Sequence, residues 1–236
     1  MKTQLTALMV FATACWAVPA TDGVQLKVGH QRVRMDALQS SAPLSATVEV
    51  CAGCHGENGA GDADFGRFAR WGTPDLRGQS PKYLREQMLA YRSGARSHHE
   101  MAPLAQHLDL QRIDELVMYY AALPAPTPLA ESAPGWFSRW FSRDALDRGK
   151  AIAEQGLTER GVPACASCHG EKGVGIGDTF PRLAGQNEEY IQAAFQQMVD
   201  GKRNTPSAAA MAGPATALSS DEIEAVARYY AGFVPR

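Results

Sequence analysis

Net charge, long apolar runs and spare cysteine are all scarce in this chain of 236 residues. Lys and Arg number 23 against 25 Asp and Glu, a formal charge of −2, so there is no basic excess to attract a polyanion and no nucleic-acid partner is expected. Beyond the N-terminus no apolar run approaches the roughly 20 residues that cross a bilayer, and no later transmembrane helix is expected. No alternation of apolar and polar residues is long enough to announce a substantial strand. Nothing in the chain forms a Ser/His/Asp group or a Gly-rich phosphate loop. Cysteines number only five, and no H-x-x-x-H spacing accompanies them.

Four of those cysteines fall in two copies of one pentapeptide, Cys51-Ala52-Gly53-Cys54-His55 and Cys165-Ala166-Ser167-Cys168-His169. C-x-x-C-H is the attachment signature of covalent c-type haem. The two thiols can both add to haem vinyl groups while the adjoining imidazole lies under the iron. Half a zinc site and a redox dithiol are the competing readings. Zinc needs two more ligands per site, and no further Cys pair supplies them. Two covalently bound haem c groups are therefore predicted, with Cys51, Cys54, Cys165 and Cys168 as thioether positions and His55 and His169 as proximal ligands. Small domains have modest cores, so the buried cofactor is expected to be part of each fold.

The resemblance between the halves extends well past the pentapeptides. Pro74-Asp75-Leu76-Arg77-Gly78-Gln79 answers Pro181-Arg182-Leu183-Ala184-Gly185-Gln186; Tyr83, Gly94 and Arg96 answer Tyr190, Gly201 and Arg203; Tyr119-Tyr120 answers Tyr229-Tyr230. The chain reads as a tandem duplication. Ser80-Pro81 opens a helix that Gly94 stops, Asp109 opens another to Ala122, and Ser219-Ser220-Asp221-Glu222 opens the last. The boundaries predicted are 1–20 signal peptide, 21–44 N-terminal arm, 45–123 first domain, 124–142 linker and 143–236 second domain. The prolines at 124, 126 and 128 forbid regular helix in the linker. The arm, which has no counterpart in the second unit, reads as extended or loosely packed.

At the N-terminus Lys2, the apolar stretch Leu5 to Ala17 and the small residues ending at Ala20 read as an export signal, with the mature protein soluble in the periplasm. Cys15 leaves with the signal; the alternative takes Ala12-Thr13-Ala14-Cys15 as a loose lipoprotein box.

A proximal His leaves one axial position. Aligned from the Tyr pairs, Met101 and Met211 hold the same place in both units, each in a Pro-containing segment read as irregular, and both are predicted to be distal ligands. A thioether opposite imidazole stabilises ferrous iron and suits electron transfer. Met88 and Met198 do not recur and read as core residues. His98 and His99 also lack counterparts and read as solvated or partner-facing, as do His30 and His107 as surface residues. Seven basic residues between Phe65 and Glu100, against three acidic ones, offer a basic face for steering an acidic partner. Unit two has an evident leading helix from Asp144 to Glu154, whereas the stretch before Cys51 is poorer in that pattern and leaves its haem less covered.

These motifs resemble the dihaem cytochrome c4 family: two C-x-x-C-H-G-x-x-G sites, P-x-L-x-G-Q-x-x-x-Y after each, a G-x-R turn, a Met segment and a closing Tyr-Tyr helix. The resemblance implies an all-α protein of two tandem class I cytochrome c domains, each a small helical bundle around a covalent haem c with His and Met axial ligands. It makes Pro74 and Pro181 the prolines whose carbonyls accept a hydrogen bond from the proximal imidazole. It implies an electron carrier, not an enzyme, working between a quinol-oxidising complex or dehydrogenase and a terminal oxidase. Two alternatives stand beside it: the electron-accepting subunit of a flavin or quinoprotein dehydrogenase, and a dihaem enzyme such as a peroxidase or thiosulfate-oxidising cytochrome. The aromatic cluster Trp136 to Phe141 reads as interdomain packing, or as a peripheral membrane or partner contact.

Overall fold

The structure, a computed structural model, describes residues 25–28, 31–61, 72–130 and 143–233. The signal segment, Cys15, His30, Arg67, Arg70 and the Trp136 to Phe141 cluster lie outside these residues.

Where the sequence leads one to expect a loose arm, the structure shows a packed one. Strands β1 (Gln25–Val28) and β2 (Gln31–Arg34) pair antiparallel with Leu26 opposite Val33, and a 3-10 turn over Met35–Leu38 follows. Val28, Val33 and Leu38 are buried against Leu108, Ile113, Leu116 and Val117. Strands this short carry no readable pattern of their own; burial against unit one is what forms them. Polar bonds pin the connection. The buried Arg112 guanidinium donates to the Gln39 and Ala42 carbonyls, and the Ser40 N–H donates to the Asp109 carboxylate at 2.8 Å. The arm supplies packing that unit two draws from its leading helix.

In unit one, α1 (Leu44–His55) ends on the motif histidine, and α2 (Pro81–Ser93), α3 (Met101–His107) and α4 (Leu110–Ala122) follow. The Ser80 hydroxyl accepts from the Tyr83 N–H at 3.2 Å, Pro81 fills the first turn where no donor is needed, and Gly94 takes the left-handed conformation that ends α2. The Asp109 carboxylate caps α4 from the Arg112 N–H at 2.8 Å.

Unit two comprises α5 (Arg143–Gln155), α6 (Ala166–His169), α7 (Glu188–Val199), α8 (Pro206–Ala217) and α9 (Ser220–Ala231). Helices α5 and α9 cross closely at Gly149, where a Cβ would lie 2.1 Å from the Ala225 carbonyl oxygen. Ile152, Val162, Phe195, Val226, Tyr230 and Phe233 form the core around that crossing. Ser219 and Glu222 form a reciprocal capping box at the start of α9. The described residues are thus helical apart from the hairpin and isolated bridges, an all-α fold.

Equivalent residues of the two repeats meet across a pseudo-twofold axis. The Gln79 side chain donates to the Arg182 carbonyl at 2.7 Å and accepts from its N–H at 3.0 Å. Gln186 does the same to Asp75, at 3.0 and 2.7 Å. Arg96 and Arg203 form an antiparallel bridge flanked by Ser97 N–H to the Lys202 carbonyl, 2.8 Å, and Asn204 N–H to the Ala95 carbonyl, 2.7 Å. Residues that recur in sequence, Gln79 with Gln186 and Arg96 with Arg203, thus make part of the interface.

Candidate haem sites

Each motif is held at the end of a helix. In unit one Cys51 and Cys54 lie on the last turns of α1; in unit two Cys165 immediately precedes α6, which carries Cys168. Burial pushes both Cys51 and Cys165 up to about 11. Thiols so placed are poor nucleophiles and poor zinc ligands, whereas an uncharged thioether loses nothing by burial.

The histidines are buried, 7% exposed for His55 and 6% for His169. Nδ1 of His55 lies 3.1 Å from the Pro74 carbonyl oxygen and Nδ1 of His169 lies 2.9 Å from that of Pro181. A carbonyl only accepts, so Nδ1 carries the hydrogen and Nε2 keeps its lone pair for a metal. Burial lowers the pKa of both rings against the opposing effect of the prolyl carbonyls, and in His55 also of Asp75. The neutral imidazole that results is the ligating form.

The proline segments are themselves anchored on glycines. The Leu76 N–H donates to the Gly59 carbonyl at 2.8 Å, and the Leu183 N–H to the Gly173 carbonyl at 2.7 Å. Both glycines have positive φ, 74° and 75°. A Cβ there would strike the closing tyrosines, 2.9 Å from Tyr120 at Gly59 and 2.6 Å from Tyr230 at Gly173. The Tyr120 and Tyr230 hydroxyls are buried without a hydrogen bond of normal geometry. Each is near enough to the first cysteine of its motif to affect that cysteine's ionisation.

The methionines lie elsewhere than the sequence suggests. Met101 is the first residue of α3 and Met211 is inside α8, neither in an irregular segment. Pro103 and Pro206 sit in the first turns of these helices, where the missing N–H breaks no bond, and Pro214 lies in the last turn of α8. The two positions still correspond: α3 stops at His107 and α8 at Ala217, so Met101 and Met211 are equally far from their helix ends. Met88 and Met198 pack against the two cores. His98 is not solvated. Its Nδ1 accepts from the N–H groups of Glu100 and Met101, both at 3.2 Å, capping the Met helix, and burial with His99 and Arg96 nearby pushes it down to about 4. His107 Nδ1 bonds the Pro103 carbonyl at 2.7 Å.

Among the described residues of the basic run, several already have partners. Arg77 pairs with Asp75 at 2.8 Å and Arg85 with Asp114 at 2.6 Å, Arg92 donates to the Leu108 carbonyl, and Arg96 is buried between the units.

The family model for cytochrome c matches residues 45–119 and 146–231. The cytochrome c4 structure from Acidithiobacillus ferrooxidans superposes with a TM-score of 0.62 at 31% identity, covering 78% of this chain and 99% of that one. The chain belongs to the dihaem cytochrome c4 family. It is also 32% identical over 216 residues, 92% of its length and 94% of the relative's, to the thiosulfate dehydrogenase electron acceptor of Stutzerimonas stutzeri. The thiosulfate dehydrogenase structure from Marichromatium purpuratum matches with a TM-score of 0.63 and 39% identity over 77% of this chain, which spans only 36% of that longer chain.

As a c4-type cytochrome the protein carries two covalently bound haem c groups and serves as a dihaem electron carrier, and its residues fit them. The Tyr120 and Tyr230 hydroxyls lie beside the first cysteine of each motif. Arg96 is a buried cation bonded to Gln87 at 2.9 Å, Gln197 at 3.2 Å and Tyr190 at 3.3 Å. Arg203 bonds Tyr83 at 2.7 Å and has an unpartnered Nε. Burial raises the Tyr190 phenol, and Arg96 and Arg203 outweigh it, bringing it to about 7. Such a cationic centre suits a cofactor that bears carboxylates. The Tyr-over-cysteine contact escaped the sequence reading, although the recurring Tyr pairs signalled it.

Proposed function

We propose that this c4-type cytochrome is exported to the periplasm, accepts single electrons from a thiosulfate-oxidising dehydrogenase and passes them toward a terminal oxidase. The observation that carries the reading is the near full-length similarity to a relative named for accepting electrons from thiosulfate dehydrogenase. His55 and Met101 would hold the iron of one haem and His169 and Met211 that of the other, with Cys51, Cys54, Cys165 and Cys168 as the thioether links. Bound haem supplies a one-electron ferric/ferrous couple. The chain supplies the rest: Pro74 and Pro181 orient the imidazoles, and the Met helices hold their thioethers at corresponding positions. Lys2, the apolar stretch that follows and the small residues to Ala20 support export, with Thr21 as the mature N-terminus.

The test mixes the oxidised protein with thiosulfate and a catalytic amount of thiosulfate dehydrogenase, and follows the haem α-band. Reduction of both haems at a rate proportional to dehydrogenase concentration is expected. Absence of reduction, with dithionite still reducing both haems, overturns the donor assignment. Fractionation of expressing cells tests the rest: recovery with a periplasmic marker and an N-terminus at Thr21 is expected, and an acylated Cys15 contradicts it.

A further inference from the structure

One residue closes the first turn of the helix that carries Met101. Nδ1 of His98 accepts from the Glu100 and Met101 N–H groups, both at 3.2 Å, and the His98 carbonyl accepts from the Ala102 N–H at 3.1 Å. Pro103 has no N–H, and the Leu104 N–H bonds the Glu100 carbonyl at 3.4 Å. The donors that a helix start leaves open are thus accounted for, most of them by His98. Because Nδ1 accepts, the hydrogen of the neutral ring is on Nε2, and while the cap holds the ring has no lone pair left for a metal.

Counted from the bridged arginines rather than from the Tyr pairs, His98 has a counterpart. It stands two residues after Arg96, as Thr205 stands two after Arg203. The Thr205 hydroxyl accepts from the Ala208 N–H at 3.1 Å and its carbonyl from the Ala209 N–H at 3.0 Å, again the third and fourth residues onward. An imidazole in unit one therefore does what a hydroxyl of a common N-cap residue does in unit two. In unit one the group it holds is the N–H of the methionine itself.

The cap is also held from behind. Ser97 donates its N–H to the Lys202 carbonyl at 2.8 Å across the interface. The His98 ring stands edge-on to the buried Tyr91, centroids 6.1 Å apart, and the Arg96 guanidinium carbon lies 4.6 Å from the centre of that same Tyr91 ring. His55 is close enough to His98 to bear on its ionisation, which puts the cap beside the motif histidine of unit one.

We propose that His98 is a positioning residue for Met101: it fixes the backbone from which the Met101 thioether is presented and ties that backbone to the contact between the units. The proposal rests on Met101 being an axial ligand, as proposed above. A helix start with open N–H groups frays, and fraying here begins at the ligand.

The experiment titrates imidazole into the ferric, full-length dihaem protein and follows loss of the Met-to-iron charge-transfer band in wild type, His98→Ala and His98→Asn. The part of the band that Met101→Ala removes belongs to unit one; the rest belongs to unit two and is the internal control. In His98→Ala the unit-one part is expected to go at an imidazole concentration about threefold to tenfold lower, the usual effect of a lost N-cap. His98→Asn keeps a side-chain acceptor of the kind that caps best, and is expected to restore the wild-type midpoint to within about twofold. A general loss of stability would give neither the confinement to unit one nor the rescue. An unmoved unit-one midpoint in His98→Ala overturns the proposal, and so does a shift that His98→Asn leaves in place. If His98→Ala does not accumulate with two haems, His98→Gln, whose longer side chain is a poor N-cap, takes its place: the same shift is expected and its absence overturns the proposal. A wild-type band from which Met101→Ala removes nothing refutes the ligand assignment itself, whereas a unit-one part indifferent to His98 refutes only the positioning.

Discussion

Replacing Gly173 by Ala tests whether the turn behind each motif histidine is shaped to receive a tyrosine ring. Two penalties apply there. Gly173 has φ of 75°, and a Cβ would lie 2.6 and 2.7 Å from Tyr230 ring carbons and 3.1 Å from the Leu183 Cβ. The left-handed conformation costs an L-residue roughly 1–2 kcal/mol, offset by about 0.4–1 kcal/mol from the stiffer unfolded chain. The overlap with Tyr230 adds about 1–3 kcal/mol, since the ring is buried and packed. Gly161 is the control, with φ of 69° and nothing within 4 Å of its Cβ position. Gly161→Ala thus loses about 1 kcal/mol and Gly173→Ala about 2–4 kcal/mol. At roughly 2–4 °C per kcal/mol for a chain of this size, the two variants differ by several degrees in Tm. Thermal unfolding of the holoprotein, read at the Soret band and by far-ultraviolet circular dichroism with haem content checked by mass, measures this. Equal Tm values for the two variants refute the close Gly-to-Tyr packing.

Three further outcomes follow from the same structure. Burial works to raise the pKa of Glu222, but hydrogen bonds from Arg160, the Ser219 N–H and Arg148 outweigh it and bring it to about 2. Its contribution to stability is therefore present above the ordinary carboxylate range and lost as pH falls from about 4.3 toward 2; Glu222→Gln flattens that acid limb, as measured by urea midpoints, and an unchanged limb contradicts the pairing. Gln79→Ala leaves the buried Arg182 N–H and carbonyl without the side-chain amide they bond, costing about 2–4 kcal/mol, and limited proteolysis of the linker should accelerate; an unaltered digestion rate disproves the bridge. Arg112→Met removes the guanidinium that holds the Gln39 and Ala42 carbonyls, so amide exchange across residues 25–42 should quicken while that of α7 stays as it was.

Local chemistry made part of this structure readable in advance. Ser80, Asp109 and Ser219 announced helix starts because a cap is a short-range device, and the two pentapeptides announced haem because attachment needs fixed spacing. The strand pair Gln25–Val28 and Gln31–Arg34 was hidden because it exists through burial against Ile113 and Val117, contacts remote in sequence. The helical placing of Met101 and Met211 was obscured by prolines that read as breakers yet sit in helix ends. His98 looked solvated because its role depends on backbone donors, which a sequence does not show. The Asp75–Arg182 ion pair was hidden because it exists only through the contact between the repeats.

The central claim, two haems each held by His and Met, is tested most directly by the ferric Met-to-iron charge-transfer band, normalised to haem content. The account predicts two haems per wild-type chain, both contributing to the band, with half of its intensity lost in Met101→Ala, half in Met211→Ala and none left in the double variant. Full band intensity in either single variant contradicts it.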